Sequence, residues 1–348
     1  MSERSGLGMV DLAVLEAVGD VSEGRRQWRP RSAKALAQIE RRIGLGPRHS
    51  YQILLDLARP WVVPVPLIRL IGAVYDRDFP ASPPEETDCR LTHAGRAALS
   101  AEAGQLGPVP LGIINGTLWR GGTQPPLEPY RVLRLLRSLA ASPRLSDREI
   151  LDAIGGPYSA AGCDVTGDLD ALAAGQRITL RETGRITITG AAVPPAETRT
   201  PEIDNDLSRV VAVSGPRQPE LAHVVIESLP ATADLADTCR EISSRLSQPK
   251  RDDPTRERSS ERGRPISDLW LESTIFEPVH IAIRLSPGYE PAAVRQQLAE
   301  IEGVYVETSV AFSAPLPRIL RTWIRSHHAE DVTASLTELE TAIDQDRP

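Results

Sequence analysis

Apolar residues recur at helical spacing through most of the first hundred positions. Val10, Val14 and Val18, with Leu15 between them, make one face of a helix. From Ser32 to Arg42, Leu36, Ile39 and the following Ile43 point one way. Arg31, Lys34, Arg41 and Arg42 fall among the polar positions. Ile53, Leu54, Leu57 and Ala58 give a third amphipathic set, and Arg59-Pro60 ends it, because proline disfavours helix at the residue before it. Trp61 to Ile71 reads as extended or turning, with Pro64 and Pro66 blocking regular sheet. Ala81 to Pro84 is a rigid turn, and helix resumes from Leu91 to Leu99.

The pattern then changes. Residues 101–122 are rich in Gly and Pro and read as a connector between a module at 1–100 and a second domain at 123–314. In that second domain Pro129 to Leu139 is helical, and Ser146 to Glu149 matches a capping box ahead of Ile150 to Ile154. Arg177 to Arg181 and Arg185 to Thr189 alternate around Glu182-Thr183-Gly184, which predicts a hairpin. Val210–Val213, Val224–Glu227, Val279–Leu285 and Val304–Phe312 are further predicted strands. Leu235–Leu246 and Pro291–Ile301 are predicted helices. The segment 248–265 is charged and almost free of apolar residues, the composition of a flexible loop. Residues 315–348 end the chain in one long helix, with Val332, Leu336, Leu339 and Ile343 along one side. The expected fold class is therefore α+β.

Composition narrows the chemistry. The longest uncharged stretch, Ala103 to Trp119, is too short and too interrupted by Gly and Pro to span a bilayer. No apolar leader follows the N-terminus. Cys89, Cys163 and Cys239 lie far apart, which fits a reducing cytoplasm rather than a disulfide framework. No metal-ligand spacing is present, since the adjacent His327 and His328 diverge by about 100° on a helix. Lys34 and Lys250, the only lysines, follow Ala33 and Pro249, so no Gly-Lys phosphate loop exists.

Charge is more informative locally than in total. The chain carries 40 basic and 47 acidic residues, a net −7. Between Arg25 and Arg48 lie eight basic residues and one acid, Glu40, so that window is +7 and the remainder is −14. A concentrated basic segment on a small helical module has the electrostatic character of a phosphate-binding surface.

Four stretches carry a family resemblance. They are Ala58-Arg-Pro-Trp61 leading to Thr87-Asp-Cys-Arg-Leu91, then Pro110-Leu-Gly-Ile-Ile-Asn-Gly116 with Pro125-Pro126. Gly156-Pro-Tyr-Ser-Ala-Ala-Gly162 follows, with Gly184 to Thr187 behind it. Last come Glu227-Ser-Leu-Pro230, Ile266-Ser-Asp268 and Val279 to Leu285. In order, they resemble segments of the A subunit of bacterial type IIA topoisomerases (DNA gyrase and topoisomerase IV). The resemblance implies a winged-helix DNA-binding module, then an α/β tower domain, then a gate-type C-terminal helix. It also implies that any magnesium and ATP belong to a B-type partner subunit, with no cofactor held by this chain.

The departures bear directly on activity. Aligned on Thr87 and Arg90-Leu91, the family's nucleophilic tyrosine position is Glu86 and its adjacent arginine position is Glu85. The family's His-Pro-His-Gly loop is replaced by Gly44-Leu-Gly-Pro-Arg-His49, and the block carrying its DNA wedge is absent, leaving Leu118 and Trp119 near that place. The resemblance thus implies a chain that keeps a DNA-facing surface and has lost strand cleavage. Its expected DNA contacts are Arg31, Lys34, Arg41, Arg42, Arg48, His49 and Arg90. Five phosphate contacts among them predict a slope of log K on log salt of about −4 to −5. Two other readings compete: an active A subunit, and an interaction protein without DNA affinity that meets topoisomerase subunits through the tower or the last helix. Double-stranded DNA, a B-type subunit and a second copy of the chain are the partners to test, in a cytoplasmic, nucleoid-associated setting.

Overall fold

The computed structural model describes residues 4–22, 32–75, 77, 80–118, 121–189, 223–246, 265–273, 279–286 and 288–346. Arg25, Arg26, Arg29, Arg31, Trp119, the strand expected at 210–213 and nearly all of the loop expected at 248–265 lie outside them. The fold is mixed α+β, and it divides into two units, residues 1–183 with 230–232 and 306–348, and residues 184–229 with 233–305. No described helix is long and apolar enough to cross a membrane.

The first unit begins with α1 (Met9–Ser22), α2 (Ser32–Ile43) and α3 (Pro47–Asp56). Val14, Leu15, Val18, Ala35, Leu36, Ile39 and Leu54 form their shared core, as the spacing predicts. Two strands follow, β1 (Ile68–Ile71) and β2 (Asp88–Leu91), paired antiparallel, and then α4 (His93–Glu102). Regular sheet does form within the segment 61–71, but only from Ile68, past Pro64 and Pro66. Thr92 caps α4 through its side chain, which accepts from the Gly95 N–H at 3.0 Å.

The segment 101–122 is more than a connector. It carries the short α5 (Leu111–Asn115), whose Leu111, Ile113 and Ile114 are buried in the same core as α1 and α4. Gly112 packs so tightly on Gly6 that a Cβ there would lie 1.8 Å from the Gly6 carbonyl oxygen. Asn115 is buried, and its amide holds Val65 by both backbone groups: the Val65 N–H donates to Oδ1 at 3.0 Å, and Nδ2 donates to the Val65 carbonyl at 2.9 Å.

Beyond it lie α6 (Pro129–Ala141), α7 (Asp147–Ile154), β3 (Asp164–Thr166), α8 (Leu169–Ala173) and β4 (Ile178–Thr183). The Ser146–Glu149 capping box is formed in full. The hairpin expected around Glu182-Thr183-Gly184 does not form. β4 joins a three-stranded sheet between β3 and a late strand, β9 (Tyr305–Val310), while β5 (Ile186–Thr189) enters a different sheet. Gly184 makes the transfer: its N–H donates to the Val304 carbonyl at 2.8 Å, and a Cβ there would sit 2.2 Å from the Ser228 carbonyl oxygen. Close approach of other backbone, not a turn, is what this glycine serves.

The second unit contains β5, β6 (His223–Ile226), α9 (Leu235–Leu246), β7 (Ile266–Leu271), β8 (Ile281–Leu285) and α10 (Pro291–Leu298). The sheet order is β5-β6-β8-β7, with every described pairing antiparallel. β6 and β7 therefore run parallel with β8 between them, a split βαβ crossover through α9. Val224, Ile226, Leu235, Ile242, Ile281, Ile283 and Leu298 build its core.

The chain returns to the first unit through β9 (Tyr305–Val310), α11 (Leu316–Arg325) and α12 (Ala329–Asp346). The single terminal helix expected from sequence is thus two helices. At the break, Ser326 Oγ donates to the Thr322 and Trp323 carbonyls, both at 2.9 Å, and His327 Nδ1 lies 2.7 Å from the Trp323 carbonyl, so side chains satisfy the last carbonyls of α11. The stripe Val332, Leu336, Leu339 and Ile343 is buried, and α12 lies against α4 and α6. The Asp346 carboxylate closes the contact, accepting from the Ala94 N–H at 3.1 Å and lying 2.9 Å from His93 Nδ1.

Candidate nucleic-acid interface

α2 presents Lys34, Ala37 and Arg41 to solvent at i, i+3 and i+7, which places them on one face of the helix. Arg42 lies on another side and bridges Glu16 and Asp20 of α1. Among the described residues Arg42 is thus ion-paired, unlike Lys34 and Arg41 on the same helix. This is an exposed ion pair, worth at most about 1 kcal/mol to the fold.

Gly44, Leu45 and Gly46 separate α2 from α3, and Gly44 takes φ +69°, where glycine alone is unstrained. Pro47 opens α3 and fits a first helical position. Arg48, His49 and Gln52 are exposed on it, whereas Ser50, Leu54, Leu55 and Asp56 are buried. Arg41 and Arg48 thus flank a three-residue turn. No side chain caps the start of α3, so its first N–H groups share the exposed end with Arg48 and His49.

The segment aligned with the family's nucleophile is a tight turn ahead of β2. The Glu86 N–H donates to the Pro83 carbonyl at 2.9 Å, and both Glu85 and Glu86 are exposed. The turn is seated on the start of α2. Ser32 and Ala33 N–H groups donate to the Thr87 and Pro84 carbonyls at 2.9 and 3.1 Å, and the Thr87 and Ser32 hydroxyls lie 2.8 Å apart. Thr87 is buried, so its hydroxyl serves packing.

Two tyrosines stand nearby, and both phenols are committed. Tyr51 donates to the Ser82 carbonyl at 2.5 Å, and Tyr75 accepts from the Leu70 N–H at 2.9 Å. Burial pushes both phenols above their usual range, which lowers the fraction of phenolate available for attack. The Cys89 thiol, buried on β2, is pushed up to about 12 by desolvation and is no better a nucleophile. Leu118, near the place of the family's wedge, is a buried core residue.

Arg90 is exposed on β2, and strand register brings it a partner that the sequence does not reveal. β1 and β2 pair Ile68 with Leu91, Arg69 with Arg90, Leu70 with Cys89 and Ile71 with Asp88. Ile68, Leu70, Cys89 and Leu91 are buried, so Arg69 and Arg90 stand opposite each other on the outer face.

A second titratable feature lies on β4. Glu182 is only 3% exposed, Ser159 Oγ donates to its Oε1, and Oε2 has no hydrogen-bond partner. Burial raises its pKa, while Ser159 and the charge of Arg77 act in the opposite direction. Arg77 in turn stacks on Trp61, with Arg59 over the same ring at 5.5 Å. The folded protein therefore holds this proton more tightly than the unfolded chain does. The stability that the neutral carboxyl contributes is complete below the unfolded value of about 4 and is lost as pH rises through the raised folded value. Glu182→Gln is expected to unfold at higher urea than the native chain at pH 7. That advantage should vanish near pH 4; parallel pH profiles for the two proteins would refute the assignment.

No family model matches this chain, and no curated protein matches it.

Proposed function

We propose that this chain binds duplex DNA without cutting it, as a homologue of the type IIA topoisomerase A subunit that lacks the nucleophile. The observation that carries the reading is the order of α1, α2, α3, the β1–β2 ribbon and α4, with Lys34 and Arg41 exposed on α2 and Arg48 and His49 at the open end of α3. This arrangement supports a winged-helix reading: α3 takes the part of the recognition helix, and the ribbon takes that of the wing. Its cations meet backbone phosphates, so binding is sequence-tolerant and salt-sensitive. The reading uses Lys34, Arg41, Arg48 and Arg90, while Arg42 serves the fold.

The loss of chemistry rests on Glu86. A tyrosine can attack a phosphodiester and later leave as a phenolate, which makes the break resealable. A carboxylate in the same role forms an acyl phosphate, which water hydrolyses readily. Glu85 adds negative charge where the family places a charge-stabilising arginine. In this reading magnesium and ATP stay with a B-type subunit. A second copy of the chain would need a surface other than the stripe of α12, which is covered by α4 and α6. Incubated with a B-type subunit, ATP, magnesium and plasmid, the chain should yield no covalent protein–DNA adduct while an intact A subunit does. Adducts from this chain would restore the active-topoisomerase reading.

A further inference from the structure

We propose that Arg69 and Arg90 form a two-guanidinium clamp on the outer face of the β1–β2 ribbon that holds one backbone phosphate of duplex DNA. The inference rests on the DNA-binding reading above and adds a residue, Arg69, that neither the charge window nor the resemblance points to. Directly opposite residues of an antiparallel pair have Cβ atoms about 5 Å apart, and like charges placed so destabilise the ribbon. Arg69 and Arg90 are held in that relation by the register, with Leu70 and Cys89 buried beneath.

Other arginines of this unit find carboxylates: Arg42 with Glu16 and Asp20, Arg137 with Glu340, Arg321 with Asp147. Among the described residues no carboxylate lies within ion-pair distance of Arg69 or Arg90, although Asp88 is two positions along the same face. The ribbon thus carries two adjacent cations whose mutual repulsion no described carboxylate relieves by direct contact. A phosphodiester relieves it: it is anionic, and its oxygens match the planar N–H fork of a guanidinium. Two forks rooted about 5 Å apart can converge on a single phosphate, each donating to a different oxygen.

The test compares the full chain with Arg69→Ala, Arg90→Ala and the double variant, using fluorescence anisotropy of random-sequence duplex DNA over a salt series. Each single change is expected to weaken binding three- to tenfold at low salt and to leave the log K against log salt slope nearly unchanged, because the remaining guanidinium still neutralises the phosphate. The double variant should lose about 0.9 in total, since both side chains serve one phosphate. Thermal melts supply a readout independent of DNA: each single variant should melt at or above the temperature of the native chain, because a repulsion has been removed. If the native chain binds with a salt-dependent affinity that the variants share unchanged, the clamp is refuted and the DNA reading stands. A loss near two slope units in the double variant also refutes the shared phosphate. If the native chain does not bind duplex DNA at all, the DNA reading fails and the clamp falls with it.

Discussion

Replacing Lys34, Arg41 and Arg48 together by alanine is expected to weaken duplex binding on the order of 10²-fold at low salt and to flatten the salt slope by nearly three units. These three cations lie on the exposed face of α2 and the open end of α3, and none of them supports the core. Exposed substitutions of this kind shift stability by no more than about 0.5 kcal/mol. The affinity loss should therefore appear with an unchanged melting curve. Arg42→Ala is the matched control. It removes the same charge from the same helix, but its guanidinium is held by Glu16 and Asp20. It should cost less affinity than any single member of the triple, and a small part of the stability. Equal losses from Arg42 and Arg41 would show that net charge alone matters and that the arrangement on α2 does not.

The largest effect on folding is expected at Asn115. Its amide makes two hydrogen bonds to Val65, and both residues are buried. Asn115→Ala removes both bonds and leaves the Val65 N–H and carbonyl without partners. An unsatisfied buried group costs about 1–3 kcal/mol, so the total loss is about 3 kcal/mol. That is a large share of the roughly 5–15 kcal/mol by which domains are stable. Asn115→Asp should be no better: it keeps an acceptor for the Val65 N–H, loses the donor, and buries a charge. Urea unfolding monitored by tryptophan fluorescence measures both variants. A loss below about 1 kcal/mol for Asn115→Ala would show that water replaces the amide and that the tie to Val65 is not structural.

Asn115 also shows what a sequence can and cannot convey. Its block, Pro110 to Gly116, carries a resemblance that is visible in the residues, but its role depends on Val65, fifty positions away. The apolar periodicities locate α1, α2, α6 and α9 because each buries one face on a neighbour. Periodicity fails at Gly184, where the alternation on both sides is real but the two strands serve different sheets. It also fails at 326–328, where side chains satisfy the end of α11 and what the apolar stripe describes as one helix is two. Composition misleads at 101–122, where Gly112 and Gly116 permit close packing of backbone on backbone.

For the candidate site, exposed cations on α2 and α3 follow from helical spacing alone. Two things do not. Arg42 and Arg41 are adjacent in sequence, and only the position of α1 decides which of them is ion-paired. Arg69 gains meaning only from the strand register that sets it against Arg90. In the proposed reading, the +7 window therefore counts an ion-paired Arg42 and omits the ribbon.

The central claim is a DNA-binding surface without cleavage chemistry. A single salt titration of the full chain against a linear duplex of random sequence tests it most directly, with each sample afterwards denatured and run for covalent adducts. With Lys34, Arg41, Arg48 and the ribbon each engaging a phosphate, the expected slope of log K on log salt is about −3 to −4, with no adduct at any salt. A flat isotherm or no binding at low salt would contradict the surface, and adducts that survive denaturation would contradict the loss of chemistry at Glu86.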